Sequence, residues 1–263
     1  MGRRPAMVGD LTDAQWEAIR PLLPPQRGRG RPRADDRRTL NGILYVLRTG
    51  CRWEGMPRRY GGPVTCRRRL RRWQREGVWE RLWRAYLALL ERQWTQAFPD
   101  GTFVPAKRGG EAVGVTKRGK RSKLMLVTEG QGLPIEGMVA GAQPAEIRLA
   151  EATLRTVRVP RQRGRPRTRP QVLVADKGYD SDAFRQSWRH RGIRPCIPRR
   201  RHQHRRGRKP DLSPYRSRWM VERTFSWLGH FRRLVVRYER SVDVYWAFVV
   251  LAFILIGLER ILK

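Results

Sequence analysis

The stretch Val172-Leu173-Val174-Ala175-Asp176-Lys177-Gly178-Tyr179-Asp180 decides how the rest of the chain is read. Four apolar residues run straight into a carboxylate. Gly178 follows two residues later, and Ser181-Asp182 offers a polar helix start. An apolar run of this length, closed by turn residues, predicts a strand buried on both faces. Asp176 then stands at the strand's carboxyl end, where open α/β sheets place their ligands. A charge is expensive to bury unless it is paired or bound to a cation. The rest of the chain is expected to supply that partner.

Composition narrows the function. The chain has 263 residues, 40% of them hydrophobic, which is enough for a core and for one large or two modest domains. Its 58 Lys and Arg against 23 Asp and Glu give a net charge of +35, with a pI near 11.7. So large an excess repels itself unless a polyanion neutralises it, and nucleic acid is the natural counterion. A membrane surface fits less well, because the basic residues are spread along the chain. Cys51, Cys66 and Cys196 are odd in number and far apart, so neither a disulfide framework nor a zinc site is indicated, and a reducing cytosol is expected. No apolar signal-peptide core follows Met1-Gly2-Arg3-Arg4-Pro5. The uncharged run Val244 to Leu258 is short for a membrane span and reads as a core helix that closes its domain.

From the amino terminus, Thr12 or Asp13 caps a helix carrying Trp16, Ile19 and Leu23, which Pro24-Pro25 stops. The segment Gln26 to Arg33 follows. Its Arg29 and Arg31 can lie in a minor groove, or the segment can be a solvated linker. Arg163-Gly164-Arg165-Pro166 invites the same two readings. Asp35-Asp36 starts a helix striped by Leu40, Ile43, Leu44 and Leu47 and ended by Gly50. From Thr65 to Arg75 runs a helix with Leu70 and Trp73 turned to a core and six arginines over the remaining surface. Arg67, Arg68, Arg71, Arg72 and Arg75 are the candidate DNA contacts on it, as on a helix pressed into a DNA groove. Val78 to Gln93 forms a further helix. Residues 1–95 thus read as an all-α, helix-turn-helix-type DNA-binding domain.

After Phe98-Pro99 the pattern changes. Asp100 to Val104 reads as a turn or short strand, Lys107 to Lys123 as a basic loop, and Leu124 to Val127 with Leu133 to Val139 as a hairpin. A helix from Pro144 to Val157, the Asp176 strand, a helix from Ser181, a strand at Pro195 to Pro198 and a helix from Pro214 complete the order. That is a mixed α/β sheet covered by helices, in the ribonuclease-H-like order, over residues 96–263.

Three acids stand out: Asp100, Asp176 and Glu222. Carboxylates that converge in a cationic protein can bind Mg²⁺, which takes oxygen ligands and leaves room for phosphate oxygens. Two such ions would serve phosphodiester cleavage or transfer. Plainer roles exist for each acid. Asp100 can be a turn residue before Gly101, and Glu222 can pair with Arg218 one helical turn away. Asp180 and Asp182 read as helix caps.

Several stretches together resemble one family. They are Leu11-Thr12-Asp13-Ala14-Gln15-Trp16, Gly30-Arg31-Pro32-Arg33-Ala34-Asp35-Asp36-Arg37, Asn41-Gly42-Ile43-Leu44-Tyr45 and Gly77-Val78-Trp79, then Asp100-Gly101-Thr102-Phe103-Val104-Pro105-Ala106-Lys107, the Asp176 stretch, and Val221 to Leu228 with Phe231 to Leu234. The chain resembles bacterial insertion-sequence transposases of the DDE type, in the group named for insertion sequence five. The resemblance implies that Asp100, Asp176 and Glu222 are catalytic and hold two Mg²⁺, with Mn²⁺ as a substitute. It implies that Tyr215, Arg218 and Lys177 meet DNA, the family's Tyr, Arg, Glu signature falling on Tyr215, Arg218 and Glu222. Where that family has a basic residue seven positions after the glutamate, this chain has Gly229, and Arg232 or Arg233 would have to substitute. The activity implied is cleavage at the ends of a mobile element and joining to a target, by a homodimer on DNA in the bacterial cytoplasm, at the nucleoid. A DNA-binding protein without catalysis and a nuclease without strand transfer are the alternatives. No other cofactor is expected.

Overall fold

The computed structural model describes residues 9–25, 32–89, 94–161, 163–200 and 211–261. They form two compact units, each from separate stretches of chain. The first is drawn from Met1–Tyr86, Pro105–Glu111 and Trp227–Lys263, the second from Leu87–Val104 and Ala112–Ser226.

The first unit is helical. α1 (Asp13–Ile19) opens on a capping box: the Thr12 hydroxyl accepts from the Gln15 N–H, and the Gln15 side chain accepts from the Thr12 N–H. α2 (Asp36–Thr49) is capped by the Asp35 carboxylate and buries Leu40, Ile43, Leu44 and Leu47. It ends at Gly50, whose φ of 70° is a left-handed conformation that a side chain would disfavour. α3 (Pro63–Arg75) begins two residues earlier than the sequence predicts, with Pro63 in its first turn, where no N–H is needed. Its arginines do not all face outward. Arg67, Arg68, Arg71, Arg72 and Arg75 are exposed, but Arg69 is buried against Trp73 and paired with Asp36, because its position shares the Cys66-Leu70-Trp73 face. α4 (Val78–Leu89) buries Trp79, Leu82, Trp83 and Tyr86. The rest of the helix predicted to Gln93, and the segment holding Arg29 and Arg31, lie outside the described residues.

α8 is a single turn (Arg232–Val235), and α9 (Val242–Ile261) forms the centre of this unit. α9 is apolar on all sides, as a buried core helix must be. Its Phe248 stacks 6.0 Å from Trp53, and its Trp246 and Phe253 meet Trp83 at 6.2 and 5.4 Å. Gly257 is required by close approach, since a Cβ there would stand 2.3 Å from the Tyr86 ring. By length and composition alone α9 could cross a membrane, but 72% of its apolar window is buried within the protein.

The second unit holds a mixed sheet. Its strands, among the described residues, are β1 (Gln96–Pro105), β2 (Gly114–Thr116), β3 (Gly119–Thr128), β4 (Pro134–Gly141), β5 (Val172–Val174) and β6 (Arg194–Cys196). The order across the sheet is β2-β3-β1-β5-β6, with β4 also paired to β3. β3 and β4 are antiparallel from Ser122↔Gly141 to Val127↔Glu136. β5 runs parallel to β1 (Gln96↔Val172) and to β6 (Val174↔Cys196). β5 is buried at every position, as its apolar run predicts, and Val172 and Val174 pack with Phe98, Cys196 and Val221. α5 (Glu146–Thr156) and α6 (Asp182–His190) belong to this unit, as does α7 (Trp219–Gly229) up to Ser226.

One expectation is resolved here and three are corrected. Of the turn or short strand expected at Asp100 the strand is found, and it is ten residues long. Pro99 is tolerated because the last registered pair with β5 is Ala97↔Leu173, so its missing N–H costs no ladder bond on that side. The basic loop from Lys107 to Lys123 contains β2 and the first half of β3, paired as Gly114↔Arg121. Ser181 caps α6, while Asp180 is buried, salt-bridged to Arg185 at 2.6 Å and accepting the Arg200 N–H at 2.8 Å. Finally, the helix expected from Pro214 begins only at Trp219, because Ser213–Ser217 is a 3-10 turn, so Glu222 sits in the first turn of α7.

Candidate active site

Asp100, Asp176 and Glu222 come from three separate elements of the second unit. Asp100 projects from β1 with its side chain 16% exposed, and its Oδ1 accepts the Gly101 N–H at 2.9 Å. Asp176 follows β5 by two residues and caps the 3-10 turn Lys177–Tyr179, its Oδ1 accepting the Gly178 N–H at 2.7 Å. Arg200 steadies the same turn, donating to the Lys177 and Gly178 carbonyls at 3.1 Å each. Glu222 is the most open of the three, at 58% exposed.

Arg218, in the residue that joins the 3-10 turn to α7, meets all three. Its Nη2 lies 3.3 Å from Asp100 Oδ2 and 3.8 Å from Asp176 Oδ2, and its Nη1 donates to Glu222 Oε1. The plainer reading of Glu222 as an Arg218 partner is therefore correct, but the pairing is shared with both aspartates. Burial works against the Arg218 charge; Asp100, Glu222 and Asp176 outweigh it and hold its pKa above the ordinary value. For Asp100 burial dominates. It pushes the carboxyl up to about 6, against the lowering effect of the Gly101 N–H and Arg218, with Asp176 and Glu146 adding to the rise. One guanidinium among three carboxylates leaves an excess of negative charge in an otherwise cationic chain.

The neighbouring candidates fall as follows. Lys177 is exposed beside Asp176. Tyr215 is partly buried against the Phe98-Val172-Val174 cluster, so part of its ring serves packing.

The family described as "Transposase DDE domain" matches residues 98–256, more than half of the chain. The chain belongs to the DDE transposase family. A second family, described as "Putative transposase of IS4/5 family", matches residues 11–83. This DDE family member is 41% identical over 136 residues to a Burkholderia cepacia protein named "Putative transposase for insertion sequence element IS402", covering 51% of this chain and 62% of the relative. It is 40% identical over 117 residues to a second protein of that organism, "Insertion element IS402 uncharacterized 16.2 kDa protein", covering 40% of this chain and 80% of the relative. The chain thus spans less than two thirds of the first relative's length. No solved structure matches it.

DDE transposase domains generally depend on a divalent metal. Among the described residues no three His, Cys, Asp or Glu side chains stand close enough together to hold an ion as they are. The donor chemistry nevertheless fits a hard cation: the converging groups are carboxylate oxygens, and Cys196 of this unit is buried in the sheet core instead. In this transposase family member Gly229 ends α7 with open space around it. Of the two substitutes expected for a basic residue there, Arg233 is already engaged, being buried, paired with Glu239 and donating to the Cys51 carbonyl at 2.9 Å. Arg232 is exposed. Sequence reasoning missed Glu146, whose charge adds to the rise at Asp100, and Tyr179, whose buried hydroxyl is pushed up by burial and by Asp100 and Glu146. Neither carried a signal, since Glu146 reads as an ordinary first-turn acid and Tyr179 as a turn aromatic.

Proposed function

We propose that this chain cuts DNA at the ends of its own mobile element and joins the freed ends to a target, with Asp100, Asp176 and Glu222 as the catalytic acids. The observation that carries the reading is the meeting of these three acids, 76 and 46 residues apart in sequence, on the single guanidinium of Arg218. The three carboxylates would hold Mg²⁺, or Mn²⁺ in its place. The ions when bound would supply Lewis-acid activation of the attacking and leaving oxygens. The protein's own part is to fix the aspartates by the N–H groups of Gly101 and Gly178 and to exclude water around Asp100. Arg218 balances the acids before DNA arrives and then has two edges for a phosphate oxygen. The attacking group is water in the first step and a 3′-hydroxyl in the second.

The fold supports the assignment. Setting aside the short β2, the sheet order β4-β3-β1-β5-β6, with β3 and β4 antiparallel and β1, β5 and β6 parallel, supports reading the sheet as ribonuclease-H-like. We assign residues 96–263 to catalysis and residues 1–95 to helix-turn-helix-type DNA binding, a division in keeping with family matches to 11–83 and 98–256. On α3, Arg67, Arg68, Arg71, Arg72 and Arg75 would meet phosphates and, through fewer of them, base edges. Lys177 and Tyr215 would meet the cleaved strand. The working form is a homodimer on two element ends, in the cytoplasm at the nucleoid. The test is an in vitro reaction with element-end DNA, a target plasmid and Mg²⁺. End-to-target joined products are expected; free ends without joining would reduce the activity to a nuclease.

A further inference from the structure

We propose that the β2–β3 hairpin is a further DNA-binding element, a two-stranded ribbon that enters the major groove of duplex DNA, with Lys117, Arg118 and Lys120 on phosphates and Val115 toward base edges. The inference rests on the reading of this chain as a protein that handles DNA, and not on which residues cut it.

Three observations meet at this hairpin. The first is its construction. β3 pairs with β4 only from Ser122↔Gly141 onward, while Gly119 to Arg121 pair with β2, as Thr116↔Gly119, Val115↔Lys120 and Gly114↔Arg121. The ribbon thus carries on past the end of β4. Its turn is fixed by Thr116, whose hydroxyl accepts from the Arg118 N–H at 3.2 Å and donates to the Gly119 carbonyl at 2.9 Å. Its root is braced as well. The Ser122 hydroxyl donates to the Ala112 carbonyl at 2.6 Å, and Ala112, with a φ of 52°, is the one non-glycine residue at positive φ among the described residues. A Cβ on Gly114 would stand 2.2 Å from Gln143 Oε1, so the backbone there rests directly on that side chain. Backbone held in a sparsely populated region by its surroundings is a pointer to function.

The second observation is charge. Residues 112–123 contain five Lys and Arg and no Asp or Glu. Lys123 is buried and Arg121 half-buried, but Lys117, Arg118 and Lys120 are exposed. Among the described residues no carboxylate pairs with any of these three. Exposed arginines elsewhere in the same unit do have acid partners, Arg155 with Glu151 and Arg194 with Asp211. A merely solvated basic face needs no fixed turn. Three unpaired cations on a fixed turn suit a row of phosphates.

The third is Val115. At 71% exposed it is the most open large hydrophobic residue among those described. Directly paired residues share a face of a ribbon, so Val115 and Lys120 stand side by side, away from Gly114 and its Gln143 support. The major groove admits a two-stranded ribbon and offers thymine methyl groups to apolar side chains. A membrane surface would call for a broader apolar face than one valine. β3 also lies next to β1, the strand of Asp100, so DNA gripped by the ribbon is gripped by the sheet that carries that acid.

Fluorescence anisotropy of the full-length chain on duplex DNA, without metal and over a range of salt, tests this apart from cleavage. With Lys117→Ala, Arg118→Ala and Lys120→Ala combined, the slope of log affinity against log salt should shrink by ~2.7, at ~0.9 per phosphate, with Tm unchanged. The same loss of charge in Arg20→Ala, Arg84→Ala and Arg155→Ala combined, where each arginine is paired with a glutamate, should change the slope far less. Val115→Ala should bind several-fold more weakly at an unchanged slope, because an apolar contact releases no counterion. In the wild type, bound DNA should shield Lys117 and Lys120 from acetylation, a reading that decides the matter if the combined variant does not fold. A hairpin slope change no larger than that of the paired arginines overturns the inference, as does equal acetylation with and without DNA. Unchanged affinity in Val115→Ala overturns groove entry. Lost binding to phosphatidylglycerol vesicles with DNA binding intact would make the tip a lipid contact instead. Asp176→Asn should show the wild-type slope, so failure of the catalytic reading leaves this result standing.

Discussion

Arg218 Nη2 stands 3.3 Å from Asp100 Oδ2, although 118 residues separate the two in sequence. β1 delivers Asp100 from the middle of the sheet, and the start of α7 delivers Arg218 beside it. The same guanidinium reaches Asp176 and Glu222, so it acts as the common counter-charge of the group.

Removing that counter-charge should damage the site without unfolding the unit. In Arg218→Ala the Asp100 carboxyl loses a group that lowers its pKa and should titrate above the present value of about 6. Cleavage should fall by about tenfold or more, and Arg218→Lys should recover little, because an ammonium cannot face three carboxylates as a planar guanidinium does. Plasmid nicking rates against pH measure both effects. A wild-type rate in Arg218→Ala would refute the shared role.

Asp100 gives the second unit a pH signature. Its folded pKa is about 6, while an aspartate in an unfolded chain titrates near ~3.9. Between those values the native state binds more protons than the unfolded one. This group's contribution is therefore fully present below pH ~4 and is lost as pH rises through about 6. The rise from ~3.9 to about 6 sets an upper bound of roughly 3 kcal/mol. In metal-free melts from pH 4 to 7, wild type should lose stability relative to Asp100→Asn. Parallel curves for the two proteins would contradict the assignment.

The sequence exposed some of this more readily than the rest. β5 was readable because four apolar residues end in a charge, and α9 because no polar position interrupts it. Asp100 reads as a turn or a short strand because Pro99 and Gly101, both turn formers, flank it; only the tertiary setting shows that a long strand runs through them. β2 and the start of β3 hid among lysines and arginines, since outward-facing strand residues need not be apolar. Arg69 was indistinguishable from the arginines around it until its Asp36 partner, 33 residues away, came into view.

That pair yields a prediction for the helical unit. Asp36 accepts from both Arg33 and Arg69, and all three side chains are largely buried. Burial lowers the pKa of Arg69, with Asp36 opposing. Asp36→Ala leaves two buried guanidiniums uncompensated and should cost about 3 kcal/mol in urea unfolding. A loss under about 1 kcal/mol would mean that the pair is idle.

Exposed arginines of α3 should behave oppositely. Arg68→Ala should leave stability within about 0.5 kcal/mol. Its DNA affinity should fall similarly for all sequences, and the slope of log affinity against log salt should shrink by about 0.9 for the lost phosphate contact. An unchanged slope would remove Arg68 from the DNA footprint.

The central claim concerns Asp176 and its two acidic partners. The most direct measurement is Mg²⁺-dependent nicking of element-end DNA by purified wild type and Asp176→Asn, with DNA binding recorded alongside. Cleavage should be lost in the variant, by at least about 10³-fold, while binding is retained. Equal cleavage by the two proteins, or no cleavage by wild type on any substrate it binds, would contradict the catalytic account.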